Sequence, residues 1–182
     1  MFLIIMFPAP SPAADGVAGK FGSQPTPTSG LSPSDHYLLK QRVMAIRSTA
    51  DYLEKQLDAI GKLPPSSCIQ AWQSVHNSVA QLQTRSSEFQ QQTSALRQRK
   101  LGRADWAALN QSNGGDLVAA QEKLESIRRK YAALREDLKS KRDYVEAKYK
   151  EEEQRANSDY KILISIIKAI NEELLIFNKS MN

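Results

Sequence analysis

The longest helical pattern in this chain runs from Leu117 to Phe177 without a proline or a glycine. Its apolar residues recur three and four positions apart, except between Leu138 and Val145, where Lys141 takes the intervening position, and this spacing places them on one face of an α-helix. The first stripe consists of Leu117, Ala120, Leu124, Ile127, Tyr131, Leu134, Leu138 and Val145. After a charged interval, a second stripe consists of Leu163, Ile167, Ile170, Leu174 and Phe177. One helix of this length would span about 90 Å. The pattern therefore predicts a rod that projects and needs a partner.

The composition favours an elongated helical protein over a globular enzyme. A quarter of the 182 residues are charged and only 7% are aromatic. The net charge of +5 comes from acidic and basic residues that alternate along the helices, a pattern typical of a solvated surface. The single cysteine, Cys68, excludes an internal disulfide, which fits a reducing compartment.

Two shorter helical patterns precede the long one and predict an antiparallel hairpin, because only a few residues join them. The first begins near Ser34 and Asp35 and ends at Gly61. Its stripe is Leu39, Val43, Ile46, Ala50, Leu53, Leu57 and Ile60. The stripe of the second is Cys68, Trp72, Val75, Val79, Leu82, Ser86, Phe89, Thr93 and Leu96.

The chain is therefore expected to be all-α, with a hairpin, one long C-terminal helix and a disordered tail. The tail covers residues 1–34, where proline, glycine and serine recur. The hairpin covers residues 35–115 and includes a short linker helix around Trp106 and Leu109, followed by a flexible turn up to Gly115. The long helix with its apolar zipper covers residues 116–182.

The first seven residues, MFLIIMF, are apolar and leave the nature of the N-terminus open. A secretory signal would carry a basic segment first, and none is present. Met6 is an alternative start, and a secreted coiled-coil protein stays as a further hypothesis. Seven residues are far too few to span a bilayer, so no membrane span is expected.

No arrangement of residues in the sequence predicts catalysis. His36 and His76 have no cysteine or histidine at metal-ligand spacing. Cys68 and His76 lie two helical turns apart, about 12 Å, which is too far for proton transfer. Gly114 and Gly115 are not followed by the lysine of a phosphate-binding loop. We therefore expect no enzyme activity, no cofactor and no metal.

The almost fully apolar turns near the C-terminus predict the partner-binding face, because an exposed helix of this kind marks an interaction site. The residues expected to bind a partner helix are Leu163, Ile166, Ile167, Ile170, Leu174 and Phe177. Changing Ile167 and Leu174 to aspartate should then abolish partner association and leave the helicity of residues 35–138 nearly intact. A hetero-oligomer is favoured over a homo-oligomer.

A basic helical protein that binds nucleic acid is the alternative from a different class. Four basic residues cluster at one end of the predicted hairpin and are candidates for phosphate contacts: Arg97, Arg99, Lys100 and Arg103. A second basic group spans Arg128 to Lys130. No helix-turn-helix spacing, zinc ligands or aromatic platform accompanies these groups.

The segment Ile167-Lys168-Ala169-Ile170-Asn171-Glu172-Glu173-Leu174, with Asn178 beyond it, resembles the end of subunit thirty of the Mediator complex. That family also has a disordered small-residue tail and no catalytic site. The resemblance implies a nuclear, non-catalytic subunit of a multiprotein complex that regulates transcription. Subunits of kinetochore, microtubule and vesicle-tether complexes share the same gross design and remain alternatives.

Overall fold

The computed structural model describes residues 30–63, 65–141 and 147–179, and these form four α-helices. The helices are α1 (Pro33–Ile60), α2 (Pro65–Gln98), α3 (Arg103–Lys141) and α4 (Ala147–Lys179). The expected all-α class is confirmed, and the helices pack as a bundle around one hydrophobic core. The predicted tail up to residue 29, the apolar residues 1–7 and the stripe residue Val145 lie outside the described residues.

Each helix packs against two neighbours, so the four helices surround the core as a ring. α1 packs against α2 and α3, and α4 also packs against α2 and α3. α1 and α4 are therefore diagonally opposite. An ion pair between Arg42 and Glu88 shows that α1 and α2 run antiparallel, as the sequence predicts. Pairs of Lys123 with Glu54 and of Lys130 with Asp58 show that α1 and α3 run parallel.

α1 begins earlier than the sequence predicts, because its cap is Ser32. The Ser32 hydroxyl accepts a hydrogen bond from the backbone N–H of Asp35, and the Asp35 carboxylate accepts one from the backbone N–H of Ser32. This reciprocal pair satisfies two N–H groups that the first turn would otherwise leave free. Leu31, only 9% exposed, joins the core just before the cap. Residues 30–34, which were predicted to belong to the tail, are therefore part of the described structure.

The stripes predicted for the first two helices are the faces that α1 and α2 bury. All seven stripe residues of α1 and all nine of α2 are at most 5% exposed. Ser86 and Thr93 interrupt the apolar character of the α2 stripe, yet both are buried as well. The Thr93 hydroxyl donates to the carbonyl of Gln90, which satisfies a polar group inside the packed face.

The predicted turn at Gly114 and Gly115 is corrected, because α3 runs through both glycines from Arg103. Two glycines in a helix interior cost about 1 kcal/mol each relative to alanine. Tertiary packing offsets this cost on both sides of the pair. Leu109 and Leu117 are fully buried, and the ring of Trp106 meets that of Phe177 edge-on at 5.5 Å.

The expected single helix over 117–177 is likewise corrected, because its two apolar stripes belong to α3 and α4, which pack against each other. Trp106 near the start of α3 contacts Phe177 near the end of α4, and Tyr131 contacts Asp159. The two helices are therefore antiparallel, and the second stripe covers the first. No projecting rod is needed, since each stripe supplies the apolar surface that the other requires.

A row of ion pairs fastens α1 to α3. Glu54 lies at its centre, 2.7 Å from Lys123 Nζ and 3.0 Å from Lys130 Nζ, and it accepts a hydrogen bond from Ser126. Hydrogen bonds from Lys123 and Lys130 hold the pKa of Glu54 at about 2, although burial opposes them. The lysines also pair with Asp51 and Asp58.

Glu54 is expected to make the bundle sensitive to acid. Because folding lowers the pKa of Glu54, the ionised carboxylate stabilises the folded state at any pH above 4.5, which is its pKa in the unfolded chain. This stabilisation is lost as the pH falls toward the folded-state pKa of about 2. When the pH falls from 6 to 3, Glu54→Gln should lose about 1 kcal/mol less free energy of unfolding than the wild type. The expected difference is no larger because the lysines that bind Glu54 are partly solvated. Urea unfolding at pH 6 and pH 3 measures the difference. Glu122→Gln, at an exposed position of α3, is the control and should follow the wild type.

Candidate interaction surfaces

The predicted partner-binding residues of α4 lie in the core of the bundle. Leu163, Ile170 and Phe177 are fully buried, Ile166 and Ile167 are 4% and 5% exposed, and Leu174 is partly buried against the same core. The other helices of this chain already cover these side chains. The expectation that they form an exposed zipper is therefore corrected: the apolar turns of α4 complete the fold.

The basic residues predicted to contact phosphate are partly engaged in ion pairs within the chain. Arg97 donates to Glu173 at 2.6 Å, and Arg99 donates to Asp35 at 2.8 Å. Lys100 and Arg103 are exposed at the connection between α2 and α3, where Lys100 has a positive φ of 51°. The structure brings these four residues to one end of the bundle, where Arg97 and Arg99 are turned toward carboxylates.

The second basic group is similarly engaged. Arg128 donates to Glu125 at 2.8 Å, and Lys130 reaches Asp58 at 2.7 Å. Arg129 donates to the backbone carbonyl of Glu125. The two ion pairs, of Arg128 with Glu125 and of Lys130 with Asp58, reduce the positive charge that is available for a phosphate backbone.

A buried cluster centred on His76 joins α2, α3 and α4. One ring nitrogen of His76 lies 2.9 Å from Glu152 Oε2, and the other contacts Asp159. Tyr131 donates its hydroxyl to the same Asp159 carboxylate at 3.0 Å. The side chains of His76, Glu152 and Asp159 are only 8–13% exposed. Because both ring nitrogens face carboxylates, the imidazole has to donate from both and is best described as an imidazolium.

The charge of His76 depends on two opposing effects. Burial by itself lowers the pKa of the imidazole, but hydrogen bonds to Asp159 and Glu152 outweigh it and raise the pKa above 6.5. Burial of the Tyr131 hydroxyl, next to the Asp159 charge, raises the pKa of this phenol as well, so Tyr131 stays neutral. The cluster therefore holds one positive and two negative charges inside the bundle.

The histidine cluster links three helices through its side chains. The ring of Trp72 lies 5.9 Å from that of His76 and 5.4 Å from that of Tyr131, which closes one side of the cluster. Both ring nitrogens of His76 are occupied by carboxylates, so neither is free to accept a proton from a substrate. In the described part of the chain, no group of three or more histidine, cysteine or acidic residues is arranged to hold a metal ion.

Sequence reasoning missed the cluster although one signal was present. Glu152 and Asp159 occupy stripe positions seven residues apart, hence on one helical face, within the charged interval between the two apolar stripes. Two acidic residues at core-facing positions predict a buried cationic partner. That partner, His76, is on another helix, 76 residues from Glu152 and 83 from Asp159.

A polar groove of about 460 Å³ runs between α2 and α4 next to Glu173. Glu173 is 4% exposed, and its Oε2 atom has no hydrogen-bond partner, while Arg97 binds the other oxygen. Burial raises the pKa of this carboxyl, and the charge of Arg97 opposes the rise. Ser87, Gln90 and Ser94 of α2 form the facing wall. The groove offers hydroxyl and amide groups but no nucleophile activated by a neighbouring base.

Large apolar side chains are exposed on two separated faces of the bundle. On α1, the exposed residues are Tyr37, Leu38, Met44 and Tyr52, with exposed fractions from 39% to 63%. We call these four residues the α1 outer row. On α4, Ile164 and Leu175 are 44% and 56% exposed and border a groove between α3 and α4. Since α1 and α4 are diagonally opposite, these faces point away from each other.

Comparison with known proteins adds no further assignment. We find no match to this chain among protein-family models, among curated proteins or among solved structures. Within residues 30–63, 65–141 and 147–179, none of the helices is both long enough and apolar enough to cross a membrane.

Proposed function

We propose that this chain is a non-catalytic interaction subunit of a multiprotein complex. The observation that carries the proposal is the α1 outer row. Tyr37, Met44 and Tyr52 are seven and eight residues apart, so they lie along one side of α1 and face solvent. Tyrosine and methionine are enriched at protein interfaces, and the rigid tyrosine ring buries a large area at a small cost in conformational entropy. Such a row suits an amphipathic partner helix laid along α1.

The polar interior of the bundle supports a structural role over a catalytic one. The imidazole and carboxylates of the His76 cluster are hydrogen-bonded to one another, and Glu54 is bound to two lysines. Enzymes place such titratable groups in a cleft, where they can reach a substrate. Here they join helices to each other.

A nuclear complex that regulates transcription is the particular assembly we propose, on the basis of the resemblance of residues 167–174 to Mediator subunit thirty. Kinetochore, microtubule and vesicle-tether complexes are the alternatives with the same requirement for a helical interaction subunit. A basic nucleic-acid-binding protein has less support, because Arg97 and Arg99 are paired with Glu173 and Asp35. Negligible affinity for DNA and RNA at low salt would reject that last alternative.

Truncating three of the four side chains of the α1 outer row is expected to reduce partner binding strongly without unfolding the chain. In the triple variant Tyr37→Ala, Met44→Ala and Tyr52→Ala, exposed side chains are truncated, and such changes typically alter stability by at most about 0.5 kcal/mol each. The full chain, wild type or variant, is tagged in its native cells and purified, and its co-purifying proteins are measured by mass spectrometry. We expect the recovery of partner subunits to fall at least about tenfold, as for loss of an interface hot spot.

The matched control truncates exposed apolar residues elsewhere, with Leu63→Ala and Val118→Ala, and should recover the wild-type set of proteins. Recovery of Mediator subunits would support the nuclear assignment, and recovery of another complex would replace it. Recovery of the wild-type chain without any other protein would contradict the proposed function. Point variants are preferable to a truncation before Tyr160, because that truncation removes core residues of α4.

A further inference from the structure

Four residues of α4 form a second outward row, on the side that faces away from α1. Ile164, Lys168, Asn171 and Leu175 are spaced by four, three and four, which places them within about 60° of the helix circumference. Ile164 and Leu175 are about half exposed, and the Lys168 side chain is 78% exposed. We call these residues the α4 row. All four line a groove of about 460 Å³ between α3 and α4, and the buried Ile167 forms part of its wall.

The α4 row is complementary to itself when one copy is reversed. Its two apolar residues are at the ends, and its two polar residues lie between them. The midpoint falls between Ala169 and Ile170, so an antiparallel second copy places its Leu175 opposite Ile164. The same register places Asn171 of the second copy opposite Lys168. An antiparallel helix pair with these spacings is a standard coiled-coil contact.

The charges beside the row match in the same register. Within one chain, Lys168 Nζ lies 3.9 Å from Glu172 Oε1, and both side chains are more than half exposed, so this pair is loosely held. In the antiparallel pair, each Lys168 lies next to Glu172 of the other copy, which gives two equivalent ion pairs. At each outer end, Lys161 faces Lys179 of the other copy, and this repulsion confines the contact to the turns from 164 to 175.

We propose that a second copy of this chain docks on the α4 row and forms a two-fold antiparallel dimer. The contact is short and its charges are solvated, so the dimer should be weak, with a dissociation constant of roughly 10 μM. This proposal goes beyond the proposed function, because it uses a different face. Since α1 is diagonally opposite α4, a dimer leaves the α1 outer row open to another protein. The dimer would thus make the subunit bivalent, which raises the avidity of its assembly.

Charge reversal tests both the dimer and its register. Lys168→Glu places two negative charges side by side across the axis, and Glu172→Lys places two positive charges there. Each single variant should weaken dimerisation about tenfold in low salt, by sedimentation from about 1 to 200 μM. The double variant Lys168→Glu with Glu172→Lys keeps the net charge of the wild type and restores both pairs. It should dimerise within about threefold of the wild type.

Circular dichroism of the three variants at about 1 μM should match the wild type, because both positions are exposed. A wild-type chain that is monomeric throughout the concentration range would overturn the proposal. So would a double variant as weak as the single ones, since the pairing of Lys168 with Glu172 would then be absent.

Cross-linking measures the register directly. An equimolar mixture of Ile164→Cys and Leu175→Cys chains should form a disulfide-linked dimer on mild oxidation. Ile164→Cys alone should cross-link at least about tenfold less, because its two copies are about 16 Å apart along the helix pair. The wild type is the control, because its one cysteine, Cys68, is buried. Efficient cross-linking of Ile164→Cys with itself would indicate a different register and contradict the antiparallel dimer.

Discussion

Replacing Ile170 with aspartate is expected to unfold most of the chain. Ile170 is fully buried in the core, although the sequence predicts it to bind a partner on an exposed helix. A carboxylate at this position would have no cationic partner, and the apolar contacts of the isoleucine would be lost. Such a change costs roughly 4 kcal/mol or more, which is comparable to the whole stability of many domains. Urea unfolding followed by circular dichroism at low protein concentration measures the loss.

The control for Ile170→Asp is the same substitution six residues earlier, Ile164→Asp. Ile164 is 44% exposed on the same helix, so this variant should stay within about 0.5 kcal/mol of the wild type. Equal stability of the two variants would contradict the packing of α4 in the core. The double aspartate variant at Ile167 and Leu174 should likewise destabilise all four helices, rather than release a partner from an intact hairpin.

Removing the imidazole of His76 is expected to have the second largest effect. His76→Gln keeps a similar size but cannot carry charge, so Glu152 and Asp159 would lose their buried cation. Breaking a buried ion pair by removing one partner costs about 3 kcal/mol or more. The loss should appear in urea unfolding at pH 6. His36→Gln is the matched control, because His36 is the chain's other histidine and makes one peripheral hydrogen bond, to Ser112.

The His76 variant should also change how stability depends on pH. The pKa of His76 is raised in the folded state, so the protonated imidazole contributes its full stabilisation at a pH below 6.5, which is its pKa in the unfolded chain. This contribution is lost as the pH rises through the folded pKa. The free energy of unfolding of the wild type should therefore fall between pH 6 and pH 9. The difference in this free energy between the wild type and His76→Gln should become smaller over the same range. A difference in free energy of unfolding that stays constant from pH 6 to pH 9 would contradict a charged His76 in the cluster.

The sequence was most informative where an apolar stripe is covered by the next helix along the chain. The buried stripes of α1 and α2 were predicted residue by residue, because a spacing of three and four residues determines which face of a helix is apolar. The antiparallel hairpin followed from the short connection between these helices. Trp72, predicted in the stripe of the second helix, and Trp106, predicted in the linker helix, are both nearly fully buried.

The candidate sites were harder to predict, because they depend on residues far apart in the chain. Glu152 and Asp159 looked like a lapse in the stripe, and only the position of His76 on α2 turns them into a buried ion cluster. Ile170 looked available for a partner because nothing in its own segment covers it. The α1 outer row was overlooked for a related reason. Its residues stand out as a separate exposed face only when the opposite face of α1 is known to be buried in the core.

The sequence by itself determined the all-α class, the helical faces of α1 and α2, and the two apolar stripes at either end of the 117–177 pattern. Only the tertiary structure decided that these stripes cover each other, that the glycines at 114 and 115 stay helical, and which apolar residues remain outside. The physical reason is that periodicity specifies which side of a helix avoids water, whereas the surface that covers this side depends on helix packing. A stripe that a partner could have covered is covered here by the chain's own helices.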